Sequence, residues 1–429
     1  MAAMTRREFI GNVAAAAAPL AMGCVAASAT AADAVAEERE VGKRRPPSKN
    51  STPARNLEGH PHFAPWVDPR SGVRTFLLNE RVSPVQQTLY FVNPGISADE
   101  RFLWFLSAWD PAPYKTVSVV SLDPKTPLIR NFPHAMPEGN PLVAPEGDAI
   151  YFCMRESVYK MDLNGKLTEI VRLDPDFIRS RRVGRLATHL TMSADGKYFL
   201  LDGAIGNHWY VGLGAIETGK VRILKEFGRH YNHAQFSPVD AKLFLIAQDW
   251  WHDPVSGQRF PYDKRIWLMR TTSTGIEPLD PKNYVEDPPG SYGTSASHEW
   301  WSQDGKLCWI DYGKRAYECD VRTREAVHVW KRPLCHGHCD CTRRFWTADQ
   351  SPYDWDREPC RVLFWDRKLE KGAEIMSGMQ QPPIPRRMYH LDPHPQFSPQ
   401  GSHISFTATV RGKVDVAVTP VEEIRAKLA

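Results

Sequence analysis

Between residues 390 and 394 the chain reads His390-Leu391-Asp392-Pro393-His394. On an extended strand alternate side chains share a face, so His390, Asp392 and His394 would point together. Two imidazoles and a carboxylate on one face can hold a divalent cation, and His298, in Ser297-His298-Glu299-Trp300, offers a further nitrogen. Nitrogen and oxygen donors without thiolate suit manganese or zinc, with calcium as the remaining choice. A second crowd, Cys335-His336-Gly337-His338-Cys339-Asp340-Cys341, has the ligand types of a zinc site but not the spacing of a closed one. Its cysteines are expected to be buried or partly disulfide-bonded.

The element that must position these residues is a recurring phrase: a small residue, a turn, then an apolar strand. Copies begin at Ile96, Val143, Met192, Phe236, Trp301, Cys339 and Phe397. Turn formers are followed each time by aromatic and β-branched residues. The second residues of the copies are 97, 144, 193, 237, 302, 340 and 398. Such a period with turn–strand units means propeller blades, and no helical periodicity competes. The expected fold is all-β, a seven-bladed β-propeller of four-stranded blades. Too little chain follows Ser398 for a whole blade, so the segment around Val73 to Leu78 is expected to complete the last one and close the ring. The stretches 252–264, 285–295 and 376–388 read as surface loops.

Four residues before the second position of each copy stand Asn93, Asn140, His189, His233, His298, His336 and His394. Equivalent positions on the innermost strands of a propeller form a ring around its axis. For a single histidine the simpler reading is that it solvates the channel or caps a turn. Five in one register favour a functional ring. His338, two residues on, competes with His336 for the sixth place. Arg229 and Arg185 each precede a ring histidine by four residues and are candidates for pairing with an acidic substrate.

The ends belong to other tasks. Residues 1–32 carry Arg6-Arg7 ahead of a short alanine-rich apolar run, the pattern of a twin-arginine export signal. Export would place the chain in the periplasm or outside the cell. Cys24 sits in a poor lipid-anchor context, because Met22 occupies a place where a small residue is usual. Residues 33–56 read as a solvated linker and 57–429 as the catalytic propeller. Net charge is +4. That is too mild for a nucleic-acid stripe, and it allows an anionic substrate in one local pocket.

Together the phrases resemble oligogalacturonate lyases, a family of seven-bladed propeller enzymes that degrade pectate. The resemblance lies in Asn232-His233 before Phe236-Ser237-Pro238, in Ser297-His298-Glu299-Trp300-Trp301, in Cys335-His336, and in Pro393-His394-Pro395-Gln396-Phe397-Ser398-Pro399. Asp68 to Val73 and Gln87-Thr88-Leu89-Tyr90-Phe91 are similar as well. It implies a polysaccharide lyase acting on acidic oligo- or polysaccharide by β-elimination. It implies His233 as catalytic base and manganese bound by His298 and His394. The register and spacing add Arg229 beside the base, His189, Arg185 and His336 on the substrate, and His390 and Asp392 on the metal. The family's Gln-x-x-His-x-His stretch is altered here, with Tyr389 for the glutamine and Asp392 for the first histidine. An ulvan-type uronate lyase, a metal hydrolase and a non-catalytic propeller that binds glycan or protein are the competing readings.

Overall fold

The computed structural model describes residues 56–428 apart from 254, 285–295, 352–357, 383 and 385. The expected export signal, Cys24 and the linker up to residue 55 lie outside the described residues, as does the expected loop 285–295. Among the described residues no helix is long and apolar enough to cross a membrane.

Seven antiparallel blades follow in chain order. Blade one starts at the strand Val85–Thr88, blade two at Leu142–Val143, blade three at Thr191–Met192 and blade four at Tyr231–Phe236. Blades five, six and seven start at Ala296–Trp301, Gly337–Cys339 and Gln396–Phe397. Each blade carries one turn phrase, which joins its first strand to its second. Six of the seven turns are built alike. In each, the residue three after the second position is left-handed: Glu100, Gly147, Gly196, Gly305, Arg343 and Gly401 all have positive φ. Its N–H donates back to Ser97, Ala144, Ser193, Ser302, Asp340 and Ser398 respectively. Side chains tighten three of these turns, as where Ser193 Oγ donates to Asp195 at 2.6 Å and Ser302 Oγ to Asp304 at 2.6 Å. The Ser-x-Asp-Gly flavour of the phrase is the chemistry this turn needs.

The second and third strands are almost wholly buried, as in Phe102–Ala108 and Asp415–Pro420. They pack face to face with the neighbouring blade. Leu245 and Leu268 of blade four meet Trp309 and Tyr317 of blade five in one apolar cluster. Blade seven closes the ring as expected: Phe76 pairs with Val418 and Leu77 with Ala417, joining the strand Arg74–Leu78 to the C-terminal strand. Asp68 then locks onto blade six, accepting from Ser377 N at 2.7 Å. The four-strand expectation needs two corrections. Blade seven has five strands, three from the C-terminal segment and two from the N-terminal one, and blade three gains the short strand Val183–Arg185. The stretch 376–388 is a loop only in part, since the outer strand of blade six runs Lys371–Met379. The stretch 252–264 includes most of a hairpin, Trp251–His252 with Arg259–Phe260.

Candidate active site

The first strands of blades three to seven meet at the axis, because their ring-register histidines touch one another. His189 lies 4.7 Å from His233 between ring centroids, His298 4.2 Å from His336, and His336 4.3 Å from His394. Tyr90 bridges the arc, stacked on His189 at 5.0 Å and 4.6 Å from His394. The two asparagines of the register do structural work instead. Asn93 Nδ2 donates to Pro141 O and Leu190 O, and Asn140 holds the backbone of Tyr90 through its side-chain amide.

Local backbone geometry aims the imidazoles. His233, His298 and His394 have φ of 54°, 47° and 48°. In the first two, register shifts between Asn232 and Gln235 and between Ser297 and Trp300 mark β-bulges. A left-handed residue in a bulge turns its side chain out of the ladder, here towards the axis. For a residue with a Cβ that conformation costs about 1–2 kcal/mol, and it clusters at functional sites.

On one side of the arc, His233 Nδ1 lies 3.1 Å from Glu299 Oε1, and Glu299 is fully buried. Arg265 answers that buried charge at 3.2 Å and reaches Asp249 at 3.3 Å. Burial opposes ionisation of Glu299, but Arg265 and His233 hold its carboxyl well below the usual range. The tautomer in which Nδ1–H donates to Glu299 puts the lone pair of His233 on Nε2. His233 lines a cavity of about 1170 Å³, together with His189, His390 and His394.

On the other side, His336, His390, Asp392 and His394 each offer a donor atom, all within 4.8 Å of one another. Asp349, fully buried, clamps this group. Its carboxylate accepts from His336 Nδ1 at 2.9 Å and from His394 N at 3.1 Å. Nε2 of His336 lies 3.9 Å from Cys335 Sγ. Both ring nitrogens of His394 are buried without a hydrogen-bond partner among the described residues, and so are both of His189. Burial and the neighbouring imidazoles push the pKa of His394 well down, so it stays neutral. His394, kept neutral, and His336, oriented by Asp349, beside an ionised Asp392 are donor types that fit a divalent cation. Cys335 contributes no thiolate, since burial pushes its thiol up.

Several expectations change here. His390, Asp392 and His394 do converge, but not by strand alternation. They follow the short helix Arg386–Tyr389 in irregular chain, with left-handed turns at His390 and His394. His336, expected on the substrate, joins that group. His298 belongs instead to a separate one with Cys335 and His336. His338 does not face the axis. It accepts from Phe397 N at 3.1 Å and lies over Trp300. Arg229 is engaged by Asp263 at 2.8 Å and Pro261 O at 2.6 Å, and the guanidinium beside His233 is that of Arg265, 3.3 Å from Nδ1. Arg185 keeps Nε and Nη2 buried without a hydrogen-bond partner among the described residues. Cys335, Cys339 and Cys341 form no disulfide among the described residues.

No family model matches the chain. In sequence it matches the oligogalacturonate lyase of Dickeya dadantii at 23% identity over 218 residues, 46% of this chain and 52% of that protein. It matches the oligogalacturonide lyase of Pectobacterium atrosepticum at 22% over 215 residues, 46% of this chain and 51% of that one. The chain thus spans about half the length of the curated relatives it matches. Among solved structures, an oligogalacturonate lyase in complex with manganese superposes with a TM-score of 0.66 at 18% identity, covering 83% of this chain and 96% of that one. Oligogalacturonate lyase from Vibrio parahaemolyticus gives 0.67 at 16% identity, over 84% and 96%. The chain is similar in fold to the oligogalacturonate lyases and similar in sequence to two of them over 46% of its length.

Against the pattern which that resemblance implies, Tyr389 is no ligand. It is buried, and its hydroxyl donates to Ala112 O at 2.8 Å. Asp392 does point into the group, with Oδ2 3.3 Å from His390 Nε2 and Oδ1 bonded to Ser351. Four residues of the site escaped sequence reading: Tyr90, Arg265, Glu299 and Asp349. Tyr90 and Glu299 lie inside phrases on which the resemblance to oligogalacturonate lyases was read, Gln87–Phe91 and Ser297–Trp301, which was a usable signal. Asp349 sits within the second strand of blade six, Phe345–Gln350, and Arg265 immediately precedes the third strand of blade four, Ile266–Arg270, both away from the repeated register.

Proposed function

We propose that this chain is a lyase that cleaves uronate-containing oligosaccharides by metal-assisted β-elimination, with His233 as the base. The observation that carries the reading is the pairing of His233 Nδ1 with buried Glu299, which frees Nε2 towards a cavity shared with unpartnered His394 and His189. His233 Nε2 takes the C5 proton of the uronate. The C5–H electron pair becomes the C4–C5 double bond, the C4–O4 bond breaks, and the departing oxygen takes a proton from solvent. Glu299 fixes the tautomer and stabilises the imidazolium that forms, while Arg265 keeps Glu299 ionised. His336, His390, Asp392 and His394 would hold a divalent cation, manganese by preference. Such an ion, when bound, neutralises the uronate carboxylate and makes the C5 proton more acidic. His298, with Nδ1 on Cys335 O, backs His336. Neutral His189 and unpaired Arg185 bind substrate hydroxyl and carboxylate groups. Residues 1–32 act as the export signal in this reading, and the enzyme works in the periplasm or outside the cell.

Incubation with manganese and polygalacturonate, alongside other uronate polymers, tests it. The expected result is ultraviolet absorbance from an unsaturated uronate end. Sugar ends released without that absorbance would mean a hydrolase. Binding without either product would mean a non-catalytic propeller.

A further inference from the structure

Asp349 stands thirteen residues after His336, and Asp202 stands at the same offset after His189. Both lie in second strands, Asp202 in Tyr198–Ile205 of blade three and Asp349 in Phe345–Gln350 of blade six, and both are fully buried. Their bonds follow one plan. Oδ1 accepts a backbone N–H of its own blade, from Thr188 at 2.5 Å for Asp202 and from His336 at 3.1 Å for Asp349. Oδ2 accepts from a side chain of the same blade, Thr188 Oγ1 at 2.6 Å or His336 Nδ1 at 2.9 Å. Oδ2 also crosses to the next blade, where it accepts from Ala234 N at 3.3 Å or from His394 N at 3.1 Å. The offset alone does not impose this plan. Asp311 stands at the same offset after His298, yet both its oxygens accept from the Tyr284 hydroxyl at 2.8 Å.

The bonds of Asp202 land on either side of the base. Thr188 precedes His189, and Ala234 follows His233, whose left-handed φ of 54° sits in the bulge of blade four. Ala234 has no partner in the register of that ladder, and the carboxylate of blade three supplies its acceptor. A carboxylate can accept three such bonds at once, whereas an amide of the same shape turns one of its sides into a donor. Asp202 thus ties together the backbones that carry His189 and His233, whose rings meet edge to face at 4.7 Å and 72°. We infer that Asp202 is the positioning residue of the base side: it sets His189 against His233 as Asp349 sets His336 against His394, so the two sides of the arc are aligned by separate carboxylates. The consequence for turnover rests on the lyase reading of His233; the positioning itself does not.

Asp202→Asn in the full chain, with isotope-labelled histidine rings, tests both. The amide would turn an N–H towards Ala234 N–H and push the bulge aside. The ring resonances of His189 and His233, assigned with their alanine variants, should shift, while those of His336, His390 and His394 stay. Calorimetry should find manganese binding unchanged. Turnover of polygalacturonate should fall about 10–100-fold in kcat with KM nearly unchanged, since small misplacements of a reacting group cost up to about 10²-fold in rate. Asp349→Asn should give the crossed result: manganese affinity lower by about 10-fold or more, with the His189 and His233 resonances in place. Should Asp202→Asn fold poorly, Thr188→Val removes one bond to the same carboxylate and should move the same two resonances less, with Thr188→Ser restoring them. Unmoved His189 and His233 resonances in the folded variants would overturn the inference, as would shifts spread evenly round the arc, which mark general packing. Normal kcat in Asp202→Asn of an active lyase would overturn it too. Shifts confined to the two histidines in a protein that cleaves no uronate polymer would support the positioning role and sink the lyase reading.

Discussion

The two sides of the histidine arc use their polar atoms differently. Around His233 every charge is answered within the protein: Nδ1 meets Glu299, Glu299 meets Arg265, and Arg265 meets Asp249. Around His394 the accounts are open. The two buried ring nitrogens of His394 have no hydrogen-bond partner among the described residues, beside a His336 whose Nδ1 is taken by Asp349 and whose Nε2 meets the Cys335 sulfur at 3.9 Å. A closed network fixes one proton position and can work as built. An open one in a buried place costs free energy until something binds, and the donors present are those of a cation site.

That contrast can be broken on the metal side first. His394→Ala should lose bound manganese and nearly all manganese-dependent turnover, as read by metal analysis and product absorbance. Wild type should gain about 2.7 kcal/mol of stability at a hundredfold excess of manganese over its dissociation constant. His394→Ala should show no such rise in Tm, whereas His233→Ala should show it in full. Equal manganese-induced shifts in His394→Ala and wild type would remove the metal centre.

On the base side, Glu299→Gln should keep manganese but lower kcat about 10²-fold, because the tautomer of His233 is no longer held. It should also melt lower, since Arg265 keeps its buried charge without its closest counter-ion, a change that costs about 3–5 kcal/mol. A Glu299→Gln protein with normal kcat would mean that the carboxylate only packs.

Much of this contrast was legible in sequence because both sides hang on one repeated register. The turn phrase fixed the blade count, and stepping back four residues found the five axial histidines. What it missed comes from geometry that a repeat does not encode. Asp349 and Arg265 come from second and third strands, whose residues reach the axis only through the twist and offset of each blade. The convergence of His390, Asp392 and His394 was foreseen for the wrong reason, since left-handed turns and not strand pleating bring them together. Arg229 shows the limit of counting along a strand. Chain spacing put it near His233, but the loop around Asp263 holds it.

Smaller effects sharpen the picture. Burial pushes His338 down to about 4, so it stays neutral in the fold while the unfolded chain takes a proton below its ordinary value near 6.5. Folding stability should therefore fall as pH drops from 6.5 towards 4, and His338→Asn should flatten that slope in a denaturation series. An unchanged slope would mean that other groups set the acid limit. Arg229→Ala should change least: its ion pair with Asp263 is largely exposed, and such pairs are worth about 0–1 kcal/mol. Turnover should stay within about threefold of wild type, and a loss near that of a base mutant would return Arg229 to the catalytic set.

The most direct test of the central claim is the rate of ultraviolet product formation on trigalacturonate by manganese-loaded His233→Ala and His189→Ala. The account predicts that His233→Ala keeps its metal and its Tm shift but loses about 10²–10⁴-fold in turnover, the usual cost of removing a general base. His189→Ala should mainly weaken substrate binding. Near-normal turnover in His233→Ala beside a dead His189→Ala would contradict the assignment and move the base to the other side of Tyr90.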